Sequence, residues 1–162
     1  VTGRACYLEE KHDKERLLAI VKASSSLPYV CPITWVDGRP MLDGGIVDSI
    51  PVQRAISQGY EKNVVVLTRN RGYRKSEKDI RVPRIVYTRY PRLRVVLSNR
   101  CRAYNEQLAM VERLEDEGRI IAIRPEAPVQ VSRIEKDIKK LTALYEEGWR
   151  CAEKVILRSR LH

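Results

Sequence analysis

Apolar positions in this chain recur in two rhythms, one close to 3.6 residues and one continuous, and each predicts a different element. In residues 13–26, "DKERLLAIVKASSS", Leu17, Leu18, Ile20 and Val21 fall on one side of a helical period, with Asp13 as N-cap. Leu27-Pro28 ends that helix, because the proline ring disfavours helical geometry in the residue before it. Residues 4–8 read as a short strand ahead of it. Residues 33–36, "ITWV", are strand-like, and Asp37-Gly38 is a strong hairpin signal. Residues 39–42 return as the second strand and deliver Asp43. Residues 50–59 then read as a helix with Pro51 near its first turn and Gly59 at its end, the usual asymmetry of helix termini. "NVVVLT", residues 63–68, is a β-branched run expected to be buried on both faces as a central strand of a parallel sheet. Helix, glycine stop and buried strand together form the second half of a βαβ crossover.

Beyond Arg69 the pattern changes. A basic loop and Val82-Pro83 lead into a long helix over residues 91–117, with Leu93, Val96, Leu97, Tyr104, Leu108, Val111 and Leu114 as its apolar positions. Asp116-Glu117-Gly118 ends it, and residues 120–123, "IIAI", form a short strand before Pro125. A last helix is expected over residues 132–157, carrying Ile134, Ile138, Leu141, Leu144, Tyr145, Trp149, Ala152 and Ile156. Ser132 with Glu135 makes a capping-box pattern at its start. The chain has no internal repeat and no low-complexity segment.

Composition narrows the class. At 162 residues the chain is long enough for one domain with a real core, or one domain and a small appendage. Its apolar fraction of 43% is ordinary for a soluble globular protein. No apolar run approaches the roughly 20 residues that span a bilayer, and no signal-peptide pattern precedes the first charges, so a cytoplasmic protein is expected. Cys6, Cys31, Cys101 and Cys151 are scattered without a CxxC pair, and only two histidines accompany them. Four reduced thiols are therefore expected rather than a zinc site or a disulfide framework, with no metal and no cofactor. The opening, Val1-Thr2-Gly3-Arg4, has no initiating methionine and reads like a turn running into a strand. The chain is thus expected to be the later part of a longer protein.

Charge is uneven. Residues 69–102 hold twelve Lys and Arg against Glu77 and Asp79, while the rest of the chain balances at nineteen bases and nineteen acids. The whole excess of +10 lies in one stripe. Such a stripe attracts anionic lipid headgroups, nucleic acid or acidic protein faces, or is simply a solvated surface. Sequence-specific nucleic-acid recognition is not expected, since the stripe matches no known module and phenylalanine is absent from the chain.

Most catalytic signatures are missing. There is no GxSxG nucleophile elbow, no GxGxxG and no GxxxxGK[ST] phosphate loop. His12 sits in a charged stretch and His162 is the last residue, so neither suits a Ser-His-Asp triad or a metal site. Asp43 in "MLDGGIVDSIP" remains. An aspartate before two glycines can expose a carboxylate at a sharp turn, and equally can be ordinary turn chemistry between a strand and a helix.

The wider string decides between these. Residues 22–69 combine "ASSSLP" (residues 23–28), the Asp37-Gly38 hairpin, "LDGG" (residues 42–45), Ile50-Pro51 and the following apolar strand, in an order and spacing that resemble the patatin-like phospholipase family. The similarity extends over about residues 1–75, and the continuation "TRNRGYRK" looks like a bacterial branch that adds a helical C-terminal segment. The resemblance implies a partial patatin-like three-layer α/β/α fold, class α/β, with a mainly helical extension. Residues 1–79 are expected to be the C-terminal part of the acyl hydrolase domain and residues 80–162 the extension. It also implies an ester hydrolase with a Ser-Asp dyad, in which serine attacks the carbonyl and the aspartate accepts its proton. Glycine-rich N–H groups stabilise the oxyanion. An ordinary aspartate, pKa near 3.9, is a weak base at pH 7, so the dyad needs a partly desolvated carboxylate within reach of the serine.

Asp43 matches the dyad aspartate, and Gly44 and Gly45 match the turn that presents it. The family's oxyanion loop and GxSxG serine lie upstream of that aspartate and are absent here. Ser24, Ser25 and Ser26 occupy the family's "ASS" helix position, where small residues allow close packing, and no elbow glycines flank them. The chain alone is thus expected to be inactive, with the missing N-terminal half of the same protein as its partner and a lipid ester as substrate. Arg69, Arg71, Arg74 and Lys75 are the candidates for contact with an anionic membrane surface, which would make the protein peripheral. The alternative is a catalytically silent scaffold whose basic segment binds anionic lipid, nucleic acid or an acidic protein.

Overall fold

The computed structural model describes residues 2–76, 87–132 and 134–159. Val1, the Val82-Pro83 loop, the boundary at residues 79 and 80, and His162 lie outside the described residues. Contacts divide the chain into two units that do not follow chain order: Val1–Ile50 with Lys75–Gln107, and Pro51–Arg74 with Leu108–His162.

The first unit begins without the expected strand; residues 4–8 are irregular. Helix α1 (Lys14–Ser24) starts at Asp13, whose side chain accepts the Arg16 N–H at 3.0 Å. Its apolar side is not the buried one. Leu17, Leu18 and Val21 are exposed and only Ala23 is buried, so the helix meets its neighbour through a small residue at its C-terminal end. That neighbour is β1 (Thr34–Val36), paired antiparallel with β2 (Arg39–Met41) in the register Thr34↔Met41 and Val36↔Arg39. Asp37 and Gly38 both adopt positive φ, 50° and 70°, the two-residue turn whose twist matches the strands it joins. Arg16 ties helix to hairpin, donating to Asp37 at 2.8 and 3.1 Å and to Glu10 at 2.7 Å. Three backbone N–H groups, led by that of Asp13, and this guanidinium hold the Glu10 carboxyl down at about 2.

After β2 the chain makes a single 3₁₀ turn (Gly44–Ile46). Ile46 is buried against Leu93 and Leu97 of α3 (Pro91–Asp116), with Leu42, Val47, Tyr87, Tyr90 and Val96 around them. This small core fixes the loop that follows the hairpin.

In the second unit, α2 (Val52–Ser57) begins after Pro51 and packs on β3 (Asn63–Val66). Gly59, at φ 89°, closes the helix: its N–H reaches Ile56 O at 3.0 Å, and that of Tyr60 reaches Ala55 O at 3.2 Å. β3 pairs in parallel with β4 (Ile120–Ile123), from Asn63↔Ile120 to Val66↔Ile123. The parallel pairing agrees with the sequence, but burial on both faces does not. Val64 and Val66 are exposed, because among the described residues β3 has one strand neighbour and its alternate side chains have no covering layer. The observed crossover runs from β3 through α3 to β4.

Helix α3 shows the expected period, with Leu93, Leu97, Leu108, Val111 and Leu114 buried and Cys101 among them. It ends at Gly118, φ 68°, where the N–H groups of Gly118 and Arg119 bond to Glu115 O and Leu114 O, each at 2.9 Å. Helix α4 (Ile138–Ser159) starts six residues later than the expected position 132. Glu135 instead accepts the N–H groups of Lys136 and Asp137, and Asp137 accepts that of Lys139, so the start of the helix is capped locally by Asp137. Ile134 lies outside the helix and is exposed.

Candidate functional site

Asp43 lies in the first unit, where β2 leaves the hairpin. The Asp43 N–H donates to Ser26 O at 2.9 Å, so the end of α1 sets the height at which the loop departs. Ser26 is itself buried; its hydroxyl donates to Lys22 O at 2.7 Å and lies 2.8 Å from Thr34 Oγ1. Of the three serines in "ASSS", only this third one is packed, while Ser24 and Ser25 are exposed.

The half-buried Asp43 carboxylate folds back on its own loop, and Oδ1 accepts the Gly45 N–H at 2.7 Å. Ser49 Oγ then donates to Gly45 O at 2.6 Å, so residue 45 is held from both sides. The two glycines differ in need. A Cβ on Gly45 would lie 3.0 Å from Asp43 Oδ1, whereas one on Gly44 would meet nothing within 4 Å. Neither has a positive φ, so the turn asks for closeness at residue 45 and not for left-handed backbone.

Three groups that sequence reasoning missed complete the loop. The Tyr7 hydroxyl donates to Asp48 Oδ2 through a short hydrogen bond. Gln107, on α3, donates from Nε2 to Asp48 Oδ1 at 3.0 Å and accepts the N–H groups of Ser49 and Ile50 at 3.0 and 3.2 Å. No local signal in the sequence marks Gln107, which is 57 to 59 positions from its partners.

The basic candidates lie elsewhere. In the second unit, Arg71 pairs with Asp116 at 2.7 Å and Glu115 at 3.3 Å, and Arg74 with Glu112 at 2.6 Å. The Arg74 guanidinium, helped by the Gly72 N–H, holds the Glu112 carboxyl down at about 2. Arg69 stacks on the Tyr73 ring at 5.0 Å. In the first unit, the Lys75 ammonium sits 3.6 Å from the centre of the Tyr104 ring, and its backbone exchanges two hydrogen bonds with Asn105. A cleft of about 630 Å³ in the second unit is lined by Gly59, Lys62, Asn63, Gly118 and Arg119, among others, and none of the candidate site residues reaches it. Among the described residues no helix is long and apolar enough to cross a membrane.

Two family models match the chain. Residues 90–159 match a domain of unknown function, DUF6363, and residues 6–56 match the patatin-like phospholipase model. No curated protein gives a significant match. The patatin-like match contains α1, the hairpin, Asp43 and both glycines of its turn. The segment that builds and presents Asp43 is thus the part of the chain that is similar to the patatin-like phospholipase family.

Proposed function

We propose that this chain carries the base of a Ser-Asp dyad in a lipid acyl hydrolase, with Asp43 as the base and the serine supplied from outside these 162 residues. The family is one of lipid acyl hydrolases. The single observation that supports the assignment is the tethering of Asp43: one carboxylate oxygen is occupied by the Gly45 N–H, while the open side of Gly44 leaves room for another segment. In this reading Oδ2 accepts the proton of the serine hydroxyl as its Oγ attacks the ester carbonyl. The tetrahedral intermediate collapses, the alcohol departs with that proton, and the acyl group stays on serine. Water then attacks the acyl-enzyme, its proton passes to Asp43, and the acid is released as serine recovers its hydrogen. Residues 1–79 are the C-terminal part of the hydrolase domain in this reading, and residues 80–162 its helical extension.

The test compares this chain with the product of its full reading frame on a short-chain nitrophenyl ester. The chain alone should be inactive, and the full product active. Asp43→Asn should lower kcat by about 10²–10⁴-fold, the usual contribution of a general base. Turnover that survives Asp43→Asn, or a reading frame without GxSxG, would overturn the assignment.

A second reading gives Arg69, Arg71, Arg74 and Lys75 to an anionic lipid surface. Two of the four already face carboxylates of α3, which leaves less charge for a membrane than the sequence alone suggests. Co-sedimentation with phosphatidylserine vesicles at low salt tests it, and equal recovery with neutral vesicles would remove it.

A further inference from the structure

We propose that Gln107 is a positioning residue for the Asp43 loop, so that the first helix of the DUF6363 segment is a working part of the patatin-like site. The inference rests on the reading of Asp43 as base, and extends it to a helix that lies outside the patatin-like match.

The loop between Asp43 and Ile50 is attached to α3 at two points. At the first, Ile46 is buried between Leu93 and Leu97. At the second, Gln107 engages three consecutive residues, 48 to 50. Residues 93, 97 and 107 share one face of the helix at 3.6 residues per turn, and Gln107 lies about 15 Å along the axis from Leu97 at roughly 1.5 Å per residue. The loop is thus stretched along α3 rather than pinned at one spot.

The chemistry of the second attachment specifies glutamine. Two backbone N–H groups require an acceptor, and the Asp48 carboxylate requires a donor, so only one orientation of one amide satisfies all three. Glutamate would set a carboxylate against Asp48, and lysine would set donors against two donors. From there the connection to Asp43 is short. The Ser49 hydroxyl, whose backbone Gln107 holds, donates to Gly45 O, and the Gly45 N–H donates to Asp43 Oδ1. Loss of the amide leaves two N–H groups without their acceptor and frees the residue that holds Gly45.

Hydrogen exchange on the 162-residue chain tests the attachment itself. Gln107→Ala should speed exchange at the Ser49 and Ile50 amides by about 10–100-fold, the range expected for loss of a partly buried hydrogen bond. The β1–β2 amides should keep their protection. Gln107→Glu should loosen the same amides, and the double variant Gln107→Glu/Asp48→Asn should restore them, because the asparagine now donates to the new carboxylate. This pair keeps the test open if the alanine variant does not fold. Unchanged exchange at Ser49 and Ile50 in both single variants would overturn the proposal whatever Asp43 does.

The second readout is ester hydrolysis by the full reading-frame product. Gln107→Ala should lower kcat by up to about 10²-fold with KM within about twofold, as expected when a reacting group is displaced by about 1 Å. The Gln107→Glu/Asp48→Asn variant should recover most of it. Loosened amides with kcat unchanged would overturn the positioning role while leaving Asp43 in place, provided Asp43→Asn remains inactive. If Asp43→Asn is active as well, the base assignment fails and the positioning role falls with it.

Discussion

Gly45 shows how finely the site depends on a single atom. A Cβ there would stand 3.0 Å from Asp43 Oδ1, so the carboxylate has to move by a few tenths of an ångström. Gly45→Ala should therefore lower kcat of the full reading-frame product by roughly tenfold, less than the full 10² expected of a 1 Å displacement. Gly44→Ala meets open space and should leave the unfolding free energy of the chain, read from urea melts, within about 0.5 kcal/mol of the parent. An unchanged kcat for Gly45→Ala, or a loss of stability well beyond that for Gly44→Ala, would contradict this division of roles. The turn that links Asp43 to Gly45 was legible in the sequence, because an aspartate that bonds to a backbone two residues on is local chemistry. The Ser26 carbonyl and the Gln107 amide were not. One is a backbone atom that every residue possesses, and the other acquires its meaning only when residue 107 meets residues 48 to 50.

Among the elements, those whose signal is both periodic and terminated by a special backbone position were readable. The long helix α3 combines a repeating apolar face with Gly118 at φ 68°, and the short α2 ends on Gly59 at φ 89°. The misread ones lacked that second signal. Among the described residues, no strand pairs with residues 4–8, and they stay irregular. Ser132 and Glu135 fit a capping box in letters, yet Glu135 caps the two residues that follow it and the helix waits for Asp137. Glycine substitution separates the two situations experimentally. Gly118→Ala forces an alanine into the left-handed region and should cost about 1–2 kcal/mol. Gly148 lies inside α4, exposed, with no atom within 4 Å of its added Cβ and no positive φ, so Gly148→Ala should stabilise by up to about 1 kcal/mol. Urea melts of both variants check the pair, and the same sign of change in both would refute the argument.

At the scale of the molecule, the charge stripe was legible as a total and not as an arrangement. Composition counts the bases of residues 69–102 as surplus, whereas Arg71 and Arg74 meet Glu112, Glu115 and Asp116, acids that lie outside the stripe. Each unit accordingly has its own acid-sensitive brace. Glu10, held by the N–H groups of Asp13, His12 and Lys11 and by Arg16, sits at about 2 in the first unit. Glu112, held by Arg74 and the Gly72 N–H, sits at about 2 in the second. Both folded-state values lie below the ordinary 4.5, so unfolding takes up protons as the pH falls. The stability these carboxylates contribute is fully present above about pH 4.5 and is lost as the pH falls from there through about 2. Urea midpoints measured from pH 6 to pH 2 should hold level and then decline across that window. Glu112→Gln should start lower at pH 6 and decline less, because its share of the linkage is gone, while Glu10→Gln should do the same for the first unit. A midpoint that falls equally steeply in the parent and in both variants would mean that other carboxylates govern the acid limb.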